Sequence, residues 1–214
     1  YGLPEETLTE PLLSTVYGIR TEVIYQMENG VPTPRAVVPR RPVTVMPESL
    51  EDPDSLLSQV FANRKRQGQL ILVTGLSGAG KTSWCKRLVQ IAEEKGLSVS
   101  GILSPGIYHG EQKTGIAIKD LQTGQQRQMA KLRSGGREKL TTPRWTFDTD
   151  AMAWANDILK ENAESDLLII DELGPLEFLR DKGLMAGLAR IDSGDYEVAC
   201  VVIRSSLLPK ALQR

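Results

Sequence analysis

Only two of the 214 residues are cysteine, Cys85 and Cys200, and only one is histidine, His109. That scarcity excludes a disulfide scaffold, a Cys/His zinc site and a multi-histidine metal centre, each of which needs several such side chains to converge. Charge of one sign is also missing: 26 Lys and Arg stand against 27 Asp and Glu, a formal charge of −1. With no cationic surplus to attract nucleic acid or acidic lipid, a charged ligand must be met by a local site. Long hydrophobic runs are absent too; the longest is Val198 to Ile203, far below the ~18 residues that suggest a membrane span. No signal-peptide pattern opens the chain, so a cytoplasmic setting without direct membrane insertion is expected. Aromatics make up 5 %, yet 40 % of residues are apolar and 25 % charged, an ordinary balance for a folded domain. A chain opening on Tyr1 rather than Met is expected to be a piece of a longer polypeptide.

Apolar patterning and punctuation divide the chain near residue 67. Residues 1–45 read as a small helix (Thr9 to Tyr17, closed by Gly18) and a hairpin, Arg20 to Tyr25 and Ala36 to Pro39, turning at Glu28-Asn29-Gly30. Residues 46–68 read as linker and helix: the linker chemistry runs over residues 40–53, where Pro42, Pro47 and Pro53 stand among charges, and Leu56, Leu57, Val60 and Phe61 then restart a helical period. From Gln69 onward, apolar strands alternate with amphipathic helices, as a layered α/β domain over 69–214 requires. Strands are expected over Leu70 to Thr74, Ser98 to Leu103, Leu167 to Asp171 and Val198 to Ile203, in a mainly parallel sheet sandwiched by helices. A hairpin joins Ile116 to Asp120 with Gln126 to Ala130. Helices are expected over Lys81 to Lys95, from an Asp148 cap to Asn162 with Ala151, Ala155 and Ile158 on one face, and over Leu184 to Ile191.

Gly75-Leu76-Ser77-Gly78-Ala79-Gly80-Lys81-Thr82 satisfies the spacing G-x-x-x-x-G-K-[ST] and lies between an apolar strand and a helix. The glycines let backbone N–H groups turn inward around a phosphate, and the helix start adds partial positive charge. Lys81 suits the β- and γ-phosphates and the Thr82 hydroxyl the Mg²⁺ that bridges them. Gly75 through Ser83 are therefore the candidate binding residues for ATP or another nucleoside triphosphate. Asp166-Leu167-Leu168-Ile169-Ile170-Asp171-Glu172 is an apolar strand ending in two carboxylates, and strand ends face the ligand crevice in such sheets. Asp171 is expected to hold Mg²⁺ with Thr82, and Glu172 to orient or deprotonate an attacking water. That pair favours hydrolysis over binding alone.

Val73-Thr74-Gly75 through Thr82, Ser100-Gly101-Ile102-Leu103-Ser104-Pro105, Thr114-Gly115-Ile116 and Asp171-Glu172-Leu173-Gly174-Pro175-Leu176-Glu177 together resemble the small P-loop nucleoside-triphosphatase family of archaea, bacteria and animals. The resemblance covers about Gln69 to Arg214. It implies Mg²⁺-dependent hydrolysis of nucleoside triphosphates with broad base preference, through Lys81, Thr82, Asp171 and Glu172; Glu177 carries over either as a site residue or as a helix-cap partner. Many members place arginines where this chain has Tyr108-His109-Gly110-Glu111-Gln112-Lys113, so charge contacts there are not carried over, and His109 reads as a surface loop residue. Residues 130–145 carry Arg133, Arg137, Lys139 and Arg144 and form either a lid over the phosphates or a solvated loop. Arg144 and Arg204, which follows the strand Val198 to Ile203, are the arginine candidates for transition-state charge.

Two rival readings accompany hydrolysis. The Gly75 to Thr82 loop also resembles that of sulfate-activating kinases, which need an acceptor pocket. A nucleotide-sensing module would bind without turnover. Trp84 and Trp154 read as packing residues and Trp145 as the best stacking candidate for a base; the cysteines read as small hydrophobes. Residues 4–19, Pro4 through Ile19, resemble the C-terminal tail of ATP-binding subunits of ABC transporters of the iron-siderophore and cobalamin type. That resemblance implies a transporter permease or ATPase as a partner, with the chain held at the membrane periphery.

Overall fold

Strands that are apolar on both faces must lie between two helical layers, and the runs Leu167 to Ile170 and Val198 to Ile203 are of that kind. The computed structural model describes residues 21–28, 31–39, 43–46, 52–62, 68–134, 140–161 and 165–213. Its elements are β1 (Thr21–Glu28), β2 (Val31–Pro39), β3 (Val43–Met46), α1 (Pro53–Ala62), β4 (Gln69–Val73), α2 (Lys81–Glu94), β5 (Val99–Leu103), β6 (Gly106–His109), β7 (Gln112–Asp120) and β8 (Gln126–Leu132). They continue as β9 (Trp145–Phe147), α3 (Thr149–Lys160), β10 (Leu167–Leu173), α4 (Pro175–Arg180), α5 (Met185–Ser193), β11 (Val198–Ile203), a 3-10 turn at Ser205–Leu207 and α6 (Leu208–Leu212).

The chain divides into two compact units, Tyr1–Thr44 and Val45–Arg214. In the first, β1 and β2 pair antiparallel from Thr21↔Pro39 to Glu28↔Val31, with one irregularity between Ile24 and Tyr25. This is the hairpin read from the sequence, with a longer second strand; its Asn29-Gly30 turn and the helix expected over Thr9 to Tyr17 lie outside the described residues. Residues 43–46, read as linker, form β3 instead.

In the second unit the sheet order from β4 onward is β4-β11-β10-β5-β7-β8-β9, with β6 paired on β7. Strands β4, β11, β10 and β5 run parallel. Beyond β5 every pairing is antiparallel. The α/β layering is the expected one, but the sheet is mixed rather than mainly parallel. The connections from β6 to β9 contain no crossover helix, and without one a returning strand can only pair antiparallel. Alternate strand residues explain the apolar runs. Ile71, Val73, Ile169, Val198, Cys200 and Val202 pack with Leu56 and Leu57 of α1 and Trp84, Cys85 and Leu88 of α2. Their neighbours Leu72, Leu168, Ile170, Ala199 and Val201 are buried as well.

Local signals set the helix ends. Asp148 accepts a hydrogen bond from the Ala151 N–H at 2.7 Å and opens α3. Its buried face is Ala151, Met152, Ala155 and Leu159. Ile158 is only half-buried, so the expected stripe is rotated by one position, and Asn162 falls outside the described residues. Gly101 pairs with Ile169 where β5 lies beside β10: at φ 97°, a Cβ there would run into the Ile169 carbonyl oxygen. Only glycine fits so close a crossing.

Candidate active site at one edge of the parallel strands

Parallel strands deliver all their C-terminal ends to one edge. At that edge β4 runs into Gly75 through Thr82, β11 into Arg204, β10 carries Asp171 and Glu172, and β5 leads to Ser104. The side chains nominated at three separate places in the sequence are therefore gathered by strand order alone, and Ser104 joins them. Gly75, Gly78 and Gly80 take φ of 148°, 85° and 86°, the conformations that turn successive N–H groups inward. The first turn of α2 begins at Lys81, and the Trp84 N–H donates to the Gly80 carbonyl at 2.8 Å. Leu76 through Gly80 are exposed, whereas Lys81 is buried. Its ammonium donates to the carbonyls of Gly75 at 2.9 Å and Leu76 at 2.8 Å, closing the loop on itself. Ser83, also nominated, is exposed one residue beyond Thr82.

Thr82 and Asp171, 89 residues apart, meet: the Thr82 hydroxyl donates to Asp171 Oδ1 at 3.2 Å. The Ser104 N–H donates to the other carboxylate oxygen, Oδ2, at 3.0 Å, and the Ser104 hydroxyl donates to the Asp171 backbone carbonyl. Asp171 is fully buried, and burial pushes its carboxyl up to about 6 against the Ser104 and Thr82 hydrogen bonds that lower it. A hydroxyl and a buried carboxylate oxygen side by side are hard oxygen donors of the kind that suits Mg²⁺. Ser104 was not singled out from the sequence, because its role comes from the β5–β10 pairing.

Strand β10 extends through Leu173, so Glu172 lies inside the strand rather than just past it. Its carboxylate is paired with Arg204, whose Nε stands 2.6 Å from Oε1. The nominated water-positioning acid and one of the two nominated arginines are thus joined. The other, Arg144, stacks its guanidinium on the Trp145 ring at 4.9 Å, and Lys113 approaches the same ring at 5.8 Å. Lys113, passed over in the sequence, comes from β7 and is half-buried. Desolvation lowers its pKa; the fields of Arg144 and Arg204 lower it further, while Glu172 and Asp171 raise it. The ammonium therefore faces both acids. Thr82, Ser104, Lys113, Glu172 and Arg204 line a pocket together with Trp145, Met152, Glu177 and Leu184.

Other nominated residues stand apart from this cluster, except Glu177, which lines the same pocket. Arg133 is exposed beyond β8, and Arg137 and Lys139 lie outside the described residues. His109 is exposed at the end of β6. Trp84 is core, and Trp154 carries the Arg127 guanidinium 4.4 Å above its ring. Cys85 and Cys200 are both buried and free, and the hydrogen bond between them, with burial, pushes the Cys85 thiol up. Glu177 is a cap: its carboxylate accepts from the Gly174 and Leu184 N–H groups, each at 2.7 Å. Burial raises its pKa against those two hydrogen bonds. Of the two readings left open for Glu177, these contacts are those of the cap partner.

Comparison with known proteins adds to this geometry. A family model described as NTPase matches residues 70–213. The nucleoside-triphosphatase THEP1 of Thermofilum pendens is 27 % identical over 135 residues, covering 63 % of this chain and 74 % of that one. The protein of the same name from Methanopyrus kandleri is 32 % identical over 111 residues, 50 % of this chain and 58 % of that one. The one from Methanosarcina acetivorans is 30 % identical over 142 residues, 66 % and 79 % of the two chains. In fold, the chain is similar to the solution structure of a human cancer-related nucleoside triphosphatase, with a TM-score of 0.51 at 19 % identity over 67 % of this chain and 82 % of that one.

Proposed function

This chain belongs to the NTPase family, and from that premise we propose that it hydrolyses nucleoside triphosphates to the diphosphate and inorganic phosphate with broad base preference. The observation that carries the reading is the meeting of Thr82 and Asp171 at the end of a glycine-rich phosphate loop, with Glu172 beside them. The loop amides and Lys81 bind the β- and γ-phosphates. Thr82 and Asp171 would hold Mg²⁺, which supplies charge neutralisation between those phosphates. Glu172 orients a water toward the γ-phosphorus and takes its proton as the bond to the β–γ bridging oxygen breaks. Arg204, tied to Glu172, and Arg144, stacked on Trp145, supply positive charge as the phosphoryl group passes between oxygens. The test is phosphate release from ATP, GTP, CTP and UTP with and without Mg²⁺, for this chain and for Glu172→Gln. Release that needs Mg²⁺ and disappears in the variant while ATP binding persists is expected. Binding of ATP without release would replace hydrolysis by nucleotide sensing.

We propose a cytoplasmic setting, because nucleoside triphosphates are supplied there. No helix among the described residues is long and apolar enough to cross a membrane. For residues 1–45 the reading is the tail of an ABC transporter ATP-binding subunit, which would bring the NTPase unit to a permease at the membrane periphery. Support comes from the β1–β2 hairpin, which forms a compact unit of its own. Removing residues 1–44 is expected to abolish co-purification with a permease and leave phosphate release unchanged. Retained co-purification would refute the assignment.

A further inference from the structure

The space beyond Thr82 and Glu172 is larger and more apolar than an attacking water requires. It has room for about 80 Å³, against the ~10–15 Å³ that one water occupies on the same measure. Its mouth is polar, with Thr82, Lys113, Glu172 and Arg204 around it. Met129 from β8, Phe147 from β9, Met152 from α3 and Leu176 from α4 give it an apolar wall, beside which Thr142 and Glu177 also line it, and Met129, Met152, Leu176 and Glu177 are buried. Water held against such a wall has too few polar partners. Two methionines, by contrast, make a wall that adapts to a small organic body.

The geometry points to a second substrate: a small hydroxylated molecule with an apolar body of a few carbon atoms, seated in this chamber with its hydroxyl at Glu172 and receiving the γ-phosphoryl group in place of water. This rests on the hydrolase reading, because the same phosphate loop must present the triphosphate at Thr82. In the transfer, the hydroxyl oxygen bonds to the γ-phosphorus as the bond to the β–γ bridging oxygen breaks. The hydroxyl proton passes to the Glu172 carboxylate, and the nucleoside diphosphate leaves with the bridging electron pair. Lys113 and Arg204 flank the mouth and match the charge on the moving group. The size of the chamber selects the acceptor, since each methylene that fits or fails to fit an apolar pocket changes discrimination by roughly 10–200-fold.

The experiment supplies the full chain with ATP, Mg²⁺ and, in turn, propanol, propanediol and glycerol, and measures ADP and inorganic phosphate separately. With an alcohol that fits, ADP is expected to exceed phosphate by about twofold or more, as positioning favours the bound hydroxyl over bulk water; phosphorus NMR shows the difference as a phosphomonoester. Met152→Trp, which fills the inner wall and leaves the mouth intact, removes that excess and keeps phosphate release without alcohol unchanged. Met129→Phe repeats the filling from the opposite strand in case the first variant fails to fold. Equal ADP and phosphate with every alcohol overturns the proposal while the hydrolase stands. An excess that survives both filled variants also overturns it, because transfer then happens elsewhere. ADP formed only when an alcohol is present supports the acceptor chamber and overturns hydrolysis.

Discussion

The two halves of the sheet contribute to the site in different ways. The parallel half, β4, β11, β10 and β5, brings backbone ends to one edge, where a glycine-rich loop and a buried carboxylate are the groups proposed to bind phosphate and metal. The antiparallel wing, β6 through β9, brings side chains from strand interiors: Lys113, Ile116, Met129, Trp145 and Phe147. A parallel edge must place its functional groups in the few residues after each strand, whereas an antiparallel wing displays every second residue on one face. The first builds a site that reads as a motif; the second builds a wall that does not.

Changes on the parallel side should have the largest effects. Glu172→Gln is expected to lower kcat by about 10³-fold with ATP binding retained, measured by phosphate release and by titration calorimetry. A variant that keeps its rate would move the role of Glu172 to the wing. Within the parallel half, Gly101→Ala forces a side chain against the Ile169 carbonyl at a left-handed φ. A loss of about 3 kcal/mol in urea unfolding is expected, and a neutral result would show that β5 and β10 separate easily.

A smaller effect reverses the usual sign. The Asp171 carboxyl sits near 6 in the folded chain against an ordinary 3.8, so folding penalises its ionised form. The penalty is fully present above pH 6, fades as pH falls, and is gone below 3.8. The shift corresponds to about 3 kcal/mol at most. Asp171→Asn should therefore stabilise the nucleotide-free chain by about 2 kcal/mol at pH 8 and by almost nothing at pH 4, while abolishing phosphate release. Denaturant melts at the two pH values check this, and stabilisation that is equal at both would contradict it. The smallest change belongs to the wing: Lys113→Ala should reduce kcat/KM for ATP about tenfold without altering the fold, and Lys113→Arg should restore most of it.

The same contrast governs how much was legible in the sequence. Gly75 through Thr82 could be read because the phosphate loop is a contiguous segment, and the β4 and α2 patterns around it were equally local. Asp171, Glu172 and Arg204 could be read because each follows or ends an apolar run. Ser104 and Lys113 could not, since they reach the site only through strand pairings with partners far away in the sequence. The face of α3 was misjudged by one position because Met152 and Leu159, not Ile158, meet the neighbouring layers. The antiparallel wing carries only the hairpin signal that joins Ile116 to Asp120 with Gln126 to Ala130, too little to show that these strands extend the main sheet.

Lys81 spends its ammonium on the carbonyls of Gly75 and Leu76. Any nucleotide must offer that cation at least as much as the loop already does before the hydrogen bonds change hands. In the proposed binding mode, where the β- and γ-phosphates meet Lys81, a triphosphate tail can make that exchange and a tail of one phosphate cannot. Discrimination at the loop would then follow tail length, because a phosphate loop holds phosphates rather than bases.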